Sequence, residues 1–379
     1  MLISLQTTLG DNVQTQPLYT FGGKALWTKE LEVALLNHQV DAIVHSLKDV
    51  PTEFPPGCEL GAVLEREDPS DALVVKEGLP YTSLAEMPEG SVIGTSSVRR
   101  VAQLRRKFPG LKFADVRGNL GTRLKKLDDP ASSYTALILA SAGLIRLNLG
   151  HRITAPVTSP ALYHAVGQGA IGIEIREGDT RAAEIMGSLE CWKTSWRTRA
   201  ERMMLHVLEG GCSVPVGCET TLTEVDTPVT HHATLTLTGT ITSLSGTHAV
   251  MCTLSRRCHS RDDAEQLGAD VARELVEGGG REILTELGRH VKEVGGGDEA
   301  HDGREIPVEA PGAVNGAGGG APVAPVAPVA IPIAQGDATA GGAVALSPSS
   351  ASKSPAKSPH SQRTVFRGEG DKCLRPAGW

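Results

Sequence analysis

Ser91-Val92-Ile93-Gly94-Thr95-Ser96-Ser97-Val98-Arg99-Arg100 sets the architecture. The first four residues read as a buried strand. Thr95-Ser96-Ser97 then supplies hydroxyls where a helix predicted over 98–108 begins. Such side chains accept hydrogen bonds from the free N–H groups of a first helical turn. Two arginines fall in that same turn.

Outward from this stretch the rhythm repeats. Toward the C-terminus come a strand over 112–116, the turn Arg117-Gly118-Asn119, a helix over 120–127, a strand over 135–140 and a helix over 142–149. Toward the N-terminus, strands over 60–64 and 71–75 flank the charged turn Glu65-Arg66-Glu67-Asp68-Pro69. Before them, a buried strand over 41–45 runs straight into Ser46-Leu47-Lys48-Asp49-Val50-Pro51, behind a helix over 25–38 and a short strand over 2–7. Strands alternating with helices at this spacing predict an α/β fold of mixed or parallel sheets with crossover helices. Helices over 179–190 and 193–208, strands over 232–242 and 248–255, and helices over 262–277 and 281–294 predict a third portion of strands packed under helices. From about Gly295 the composition turns to Gly, Ala, Pro and Ser, with Ala321-Pro322-Val323 repeats and Lys-Ser-Pro pairs. Such a segment buries too little apolar area to offset its ordering entropy, so disorder is expected to the end.

The 379 residues suffice for two or three domains. A net charge of -7 disfavours a generally basic nucleic-acid binder. The seven cysteines are scattered, without a C-x-x-C pair or zinc spacing, so no metal and a reduced intracellular compartment are expected. There is no basic n-region at the start and no apolar run of the roughly 20 residues needed to cross a bilayer. The chain therefore reads as soluble and cytoplasmic, with neither nucleic acid nor membrane as a partner. Gly167-Gln168-Gly169-Ala170-Ile171-Gly172 has the formal G-x-G-x-x-G pattern. A dinucleotide fingerprint needs a strand before it and a helix after. Here the order is reversed, and the glycines read instead as a tight crossing between two domains.

The arginines carry the functional signal. Arg99 and Arg100 open one helix, Arg117 follows a strand end, and Arg123 and Arg146 lie on the next two helices. Helix N-termini bind anions, and Arg adds bidentate recognition of carboxylate or phosphate. In a parallel sheet these junctions share one edge, where Lys48 and Asp49 also fall. The expected ligand is small, rich in anionic groups, and bound in a cleft. Leu208-Glu209-Gly210-Gly211-Cys212-Ser213-Val214-Pro215 ends a helix at paired glycines and places Cys212 on a constrained loop. Taken alone, that cysteine reads first as a small buried hydrophobe, and as the sharper alternative a thiol held for covalent chemistry.

Together these blocks resemble the porphobilinogen deaminase (hydroxymethylbilane synthase) family. The resemblance rests on Gly23-Lys24, His45-Ser46-Leu47-Lys48-Asp49-Val50-Pro51, Arg66-Glu67-Asp68-Pro69, Gly94-Thr95-Ser96-Ser97-Val98-Arg99-Arg100, Arg117-Gly118-Asn119 with Thr122-Arg123-Leu124, Ala165-Val166-Gly167-Gln168-Gly169-Ala170 and Leu208–Pro215, in family order from about Thr7 to Val294. It implies two α/β domains like those of periplasmic binding proteins around a cleft, plus a smaller α+β third domain. The implied boundaries are 1–66 with 169–187, then 67–168, then 188–296, with 297–379 as a disordered tail. It further implies a dipyrromethane cofactor on Cys212 through a thioether, and Asp49 as the catalytic carboxylate. Lys48, Thr95, Ser96, Ser97, Arg99, Arg100, Arg117, Arg123 and Arg146 would bind acetate and propionate groups, and Gln168 would lie at the domain crossing. Lys24 would sit on a loop over the cleft. A monomer would join four porphobilinogens head to tail into hydroxymethylbilane, releasing ammonia, in heme biosynthesis.

Two departures stand out. The family opens with a further strand and helix bearing an Arg-x-Ser-x-Leu-Ala motif, which this sequence lacks, so exposed apolar surface on the first sheet and weak activity are expected. The long tail is the second. The rival readings are an inactive truncated family member, a non-catalytic anion-binding protein that needs no Cys212, and a thiol acyl-transfer enzyme pairing Cys212 with His206 or His164.

Overall fold

The computed structural model describes residues 28–208, 214–224, 231–286 and, as backbone, 364–367. Lys24 and Cys212 therefore lie outside the described residues, as do the first predicted strand and most of the tail. The described residues all belong to one compact unit, Thr7–Gly297 with Ser361–Trp379.

The fold is mixed α/β, with three sheets. The first contains β1 (Ile43–Ser46), β2 (Cys58–Val63) and β8 (Ile171–Arg176), with β8 central and antiparallel to both neighbours. Helices α1 (Lys29–Leu36) and α5 (Thr180–Gly187) pack beside it. Leu35, Ile43 and Cys58 form one apolar cluster there, and Ala62, Ile173, Ile175 and Ala182 another. Val44 on edge strand β1 is 66% exposed and Val33 on α1 is also exposed.

The second sheet has five strands in the order β5-β4-β6-β3-β7: Lys112–Ala114, Val92–Gly94, Tyr134–Ala140, Asp71–Val75 and Ala155–Val157. The strands β5, β4 and β6 are parallel, whereas β3 runs antiparallel to β6 and β7. Crossover helices α2 (Val98–Lys107) and α3 (Leu120–Asp128) follow β4 and β5, and α4 (Ser141–Arg146) follows β6. The central strands are apolar on both faces: Leu73, Ile93 and Ile138 pack into one cluster, and Val74, Leu137 and Leu139 into the other. Burial on both sides is why these strands read as continuous apolar runs without alternation.

The third sheet has the order β12-β11-β10-β9, all antiparallel: Thr364–Arg367, Ala249–Cys258, Ala233–Thr242 and Val216–Glu224. Helices α6 (Trp192–Val207) and α7 (Arg261–Leu275) cover it. Gly268 lets the two helices touch; a Cβ there would come within 2.1 Å of Ala200 O. The β-branched strand Thr364–Arg367 departs from the disorder expected of the tail. It satisfies the backbone groups along the edge of β11 in a stretch that composition alone reads as unstructured. Strands β7 and β9 are also absent from the sequence reading, because β7 contains Pro156 and β9 follows directly on the sequence Gly210-Gly211-Cys212-Ser213-Val214-Pro215.

Two chain segments cross between the first and second sheets, around Glu65–Ser70 and Gly167–Ala170. The G-x-G-x-x-G pattern lies on the second crossing and runs into strand β8, so the rejected nucleotide reading stays rejected. Gly169 adopts φ +84°, and a Cβ there would lie 2.4 Å from Glu67 O. Only glycine fits where the crossing strands approach this closely. Among the described residues no helix is long and apolar enough to cross a membrane.

Candidate functional site

The parallel strands β4, β5 and β6 bring three strand ends to one edge. Ser97 caps α2 by accepting from Arg100 N, and Asn119 caps α3 by accepting from Thr122 N at 2.9 Å. Thr95 is buried, with its N–H donating to Ala114 O at 2.9 Å, and Ser96 Oγ donates to Val116 O at 2.7 Å. The hydroxyl-rich helix start thus closes β4 onto β5.

Arg99 and Arg100 do something the sequence does not announce. Their guanidinium groups converge on buried Asp71, the first residue of β3. Arg100 donates from Nε and Nη2 to Asp71 Oδ1 at 3.0 and 2.7 Å, and Arg99 Nη2 lies 2.9 Å from Asp71 Oδ2. Arg100 Nη1 also donates to Ile138 O at 2.9 Å, and Arg99 Nη1 to Tyr163 O at 2.5 Å. Gln168, buried at the crossing, completes the arrangement: its Nε2 donates to Asp71 Oδ1 at 3.0 Å and to Pro69 O at 2.7 Å. Burial alone would raise the Asp71 carboxyl, but Arg100 and Arg99 hold it well below the usual carboxylate range. These two arginines brace the wall of the site with donors the sequence reading assigned wholly to a ligand.

Lys48 and Asp49 lie on a 3-10 turn, Leu47–Asp49, directly after β1. Leu47 and Val50 are buried and anchor the turn, Leu47 N donates to Ala170 O at 3.0 Å, and Asp49 is exposed. Lys48 is lowered from the ordinary lysine value by burial, with Arg100 and Arg99 pushing the same way against Asp49 and Asp71. Arg123 is lowered by burial and by Arg100, with Arg117 adding to the repulsion and Asp49 opposing it. Arg123 Nε donates to Gly118 O at 2.6 Å, Arg117 Nε to Asp115 Oδ2 at 3.0 Å, and exposed Arg146 Nη2 to Gly169 O at 2.8 Å. Lys48, Arg99, Arg100, Arg117 and Arg123 therefore interact as one cationic group, opposed by Asp49, Asp71 and Asp115. The excess positive charge, held partly out of water, suits a ligand carrying several carboxylates.

A second polar centre went unread in the sequence. Glu201, fully buried on α6, accepts from Arg66 Nη1 and Nη2 at 2.6 and 3.0 Å, from Thr220 Oγ1 at 2.7 Å and from Gly167 N at 2.9 Å. Arg66 Nε donates to Gln168 O at 2.8 Å. One ion pair thus ties both crossing segments to the helix over the third sheet. The ligand atoms of His164, Glu201 and Cys218 lie within 4.8 Å of one another, the one such group among the described residues. Arg66 neutralises Glu201 and all its lone pairs are engaged, so the cluster is a structural ion pair and does not require a metal. Nor does His164 offer support for acyl transfer: its Nδ1 lies 3.0 Å from Ala165 O and burial lowers it.

Burial alone would raise Glu201, but Arg66 brings it down to about 2 from 4.5. A depressed carboxylate stabilises the fold fully above its unfolded value and loses that contribution as pH falls through the folded one. Glu201→Gln strands a buried guanidinium and should cost about 3–5 kcal/mol. The melting temperature should drop on the order of 10 °C at pH 7. Thermal melts from pH 7 down to 3 should show that gap narrowing below about 4.5, where the carboxylate of the unfolded chain gains its proton while the folded one, at about 2, is still ionised.

Residues 2–184 match the family model described as "Porphobilinogen deaminase, dipyromethane cofactor binding domain", and residues 196–277 match "Porphobilinogen deaminase, C-terminal domain". The chain belongs to the porphobilinogen deaminase family. Among curated relatives, the Yarrowia lipolytica porphobilinogen deaminase is 53% identical over 286 residues, covering 74% of this chain and 82% of that protein. The Saccharomyces cerevisiae porphobilinogen deaminase is 47% identical, covering 74% and 85%, and the Synechococcus elongatus one 48%, covering 75% and 85%. The solved BvgS periplasmic VFT2 domain of Bordetella pertussis aligns at 14% identity and TM-score 0.26 over 43% of this chain and 66% of that one, a likeness too slight to bear on the fold. Within the porphobilinogen deaminase family, the cationic edge of the second sheet belongs to the domain that takes the cofactor.

Proposed function

We propose that the chain joins four porphobilinogen molecules head to tail into hydroxymethylbilane, releasing ammonia at each addition, as its family name implies. The observation that carries this reading is the partly buried cationic group, drawn from the edge of the second sheet and the turn after β1, beside the exposed carboxylate of Asp49. Each porphobilinogen carries two carboxylates, so an acidic protein needs a local cationic site to bind it.

The residues present fit a dipyrromethane cofactor. Lys48 and Arg123, lowered by burial and by like charges, each gain from a carboxylate brought near them. Cys212 is the proposed thioether attachment, and Lys48, Thr95, Ser96, Ser97, Arg117, Arg123 and Arg146 the proposed carboxylate contacts. Arg99 and Arg100 contribute charge and hold the wall through Asp71. The cofactor supplies the pyrrole on which the product chain is started. Asp49 faces the positive charge that develops as porphobilinogen loses ammonia. A fixed carboxylate there stabilises charge that is present mainly in the transition state. Lys24 is the proposed loop residue over the cleft.

We also infer the division 1–66 with 169–187, 67–168 and 188–296; the grouping of β1, β2 and β8, of β3 to β7 and of β9 to β11 supports it, while β12 joins the third sheet from outside those bounds. The first two units would then resemble periplasmic binding proteins around a cleft, acting as a monomer.

An Ehrlich-type colour assay tests the activity. Porphobilinogen should disappear with ammonia and a linear tetrapyrrole appearing. Porphobilinogen that binds without being consumed would favour the non-catalytic anion-binding reading instead.

A further inference from the structure

We propose that Arg202 is a positioning residue that sets the placement of Asp49, and so couples the helix leading to Cys212 with the turn carrying the carboxylate. This rests on the roles assigned above to those two residues.

Arg202 sits on α6 and is 8% exposed. Its guanidinium reaches out of the third-sheet layer into the first. Nη1 donates to Val50 O at 3.1 Å, and Nη2 donates to Pro51 O at 2.6 Å and more weakly to Thr52 O at 3.5 Å. The guanidinium carbon also lies 5.5 Å from the centre of the Phe54 ring. Three successive carbonyls immediately after Asp49 are thus gripped by one planar fork. A lysine offers a point charge and cannot reproduce that geometry.

The tie acts beyond packing, because it grips the backbone directly after the turn that carries Asp49. Leu47 and Val50 bury against the first sheet, and Leu47 N donates to Ala170 O at 3.0 Å. A cavity of about 340 Å3 lies beside the segment that follows, lined by Thr52, Phe54, Leu60, Arg202, Met203 and His206, among others. Segment 50–54 therefore has room to shift once the guanidinium is removed. Arg202 also lies ten positions before Cys212 in sequence, on helix α6, which ends at Val207. Its neighbour Glu201 grips the crossing segments, so adjacent residues of α6 fix the crossing and the Asp49 turn together. Displacing a reacting group by about 1 Å can cost 10²-fold in rate.

The test compares Arg202→Lys in the native chain and in an Asp49→Asn background. Covalent chromophore loading, kcat, KM and hydrogen exchange of the 47–52 amides are read for each. Arg202→Lys should lower kcat by about 10- to 100-fold, with loading kept and KM moved by less than about threefold. The 47–52 amides should exchange faster. In the Asp49→Asn background the same substitution should cost less than about threefold, since a residue acting through Asp49 has nothing left to position. Equal losses in both backgrounds, an unchanged kcat, or unchanged exchange would overturn the proposal. Full activity of Asp49→Asn alone would instead overturn the assignment on which it rests.

Discussion

Asp49→Asn should lower kcat by about 10²-fold or more while Cys212 still acquires its adduct. Asparagine keeps the size and hydrogen-bonding reach of the side chain and removes only its charge. The turn itself should not move, because Leu47 and Val50 anchor it by burial and Arg202 holds its following carbonyls. Asp49 is exposed at the end of a strand, close enough to Lys48 and Arg123 to influence both. Single-turnover and steady-state kinetics with porphobilinogen check the expectation. A loss below tenfold with normal loading would remove Asp49 from the chemistry.

Cys212→Ser should abolish the covalent adduct and reduce turnover by more than about 10³-fold. The other described thiols make poor competitors. Burial pushes Cys58 up to about 12 and Cys258 up to about 11, and raises Cys218 well above the ordinary thiol value. Cys252 is buried as well, and Cys191 is half-buried. Since the thiolate is the attacking species, high values of this kind suppress reaction at Cys58, Cys258 and Cys218. Peptide mapping of the loaded native chain should find the adduct on the Leu208–Pro215 peptide. Finding it on Cys191 or Cys373 would move the attachment point elsewhere.

The strand-to-helix pattern around Ser91–Arg100 was legible because each level agrees: apolar strand, hydroxyl cap and helical periodicity coincide there, and β4 and α2 begin within a residue of their expected places. The crossing at Gly167–Gly169 was legible for a similar reason, since positive φ and close approach leave glycine alone able to serve. What sequence could not give was the use of charge at long range. Arg99, Arg100 and Gln168 all meet on Asp71, and Arg66 meets Glu201 across 135 positions. Nothing local marks which arginine is spent on a buried carboxylate and which is offered to a ligand. A buried Asp at the start of an apolar strand, and a Glu on the buried face of α6, were the available hints, because such groups occur inside only when paired. The backbone tie from Arg202 carries no sequence signal at all, as its acceptors are carbonyls common to every residue.

The most direct measurement is the intact mass of the chain after incubation with porphobilinogen, compared with the same treatment of Cys212→Ser. The native chain should gain the mass of two porphobilinogen-derived pyrroles, each joined with loss of ammonia, and Cys212→Ser should gain nothing. A native chain that consumes porphobilinogen yet never gains covalent mass, or a Cys212→Ser chain that gains it equally, would contradict a thiol-anchored tetrapyrrole synthesis.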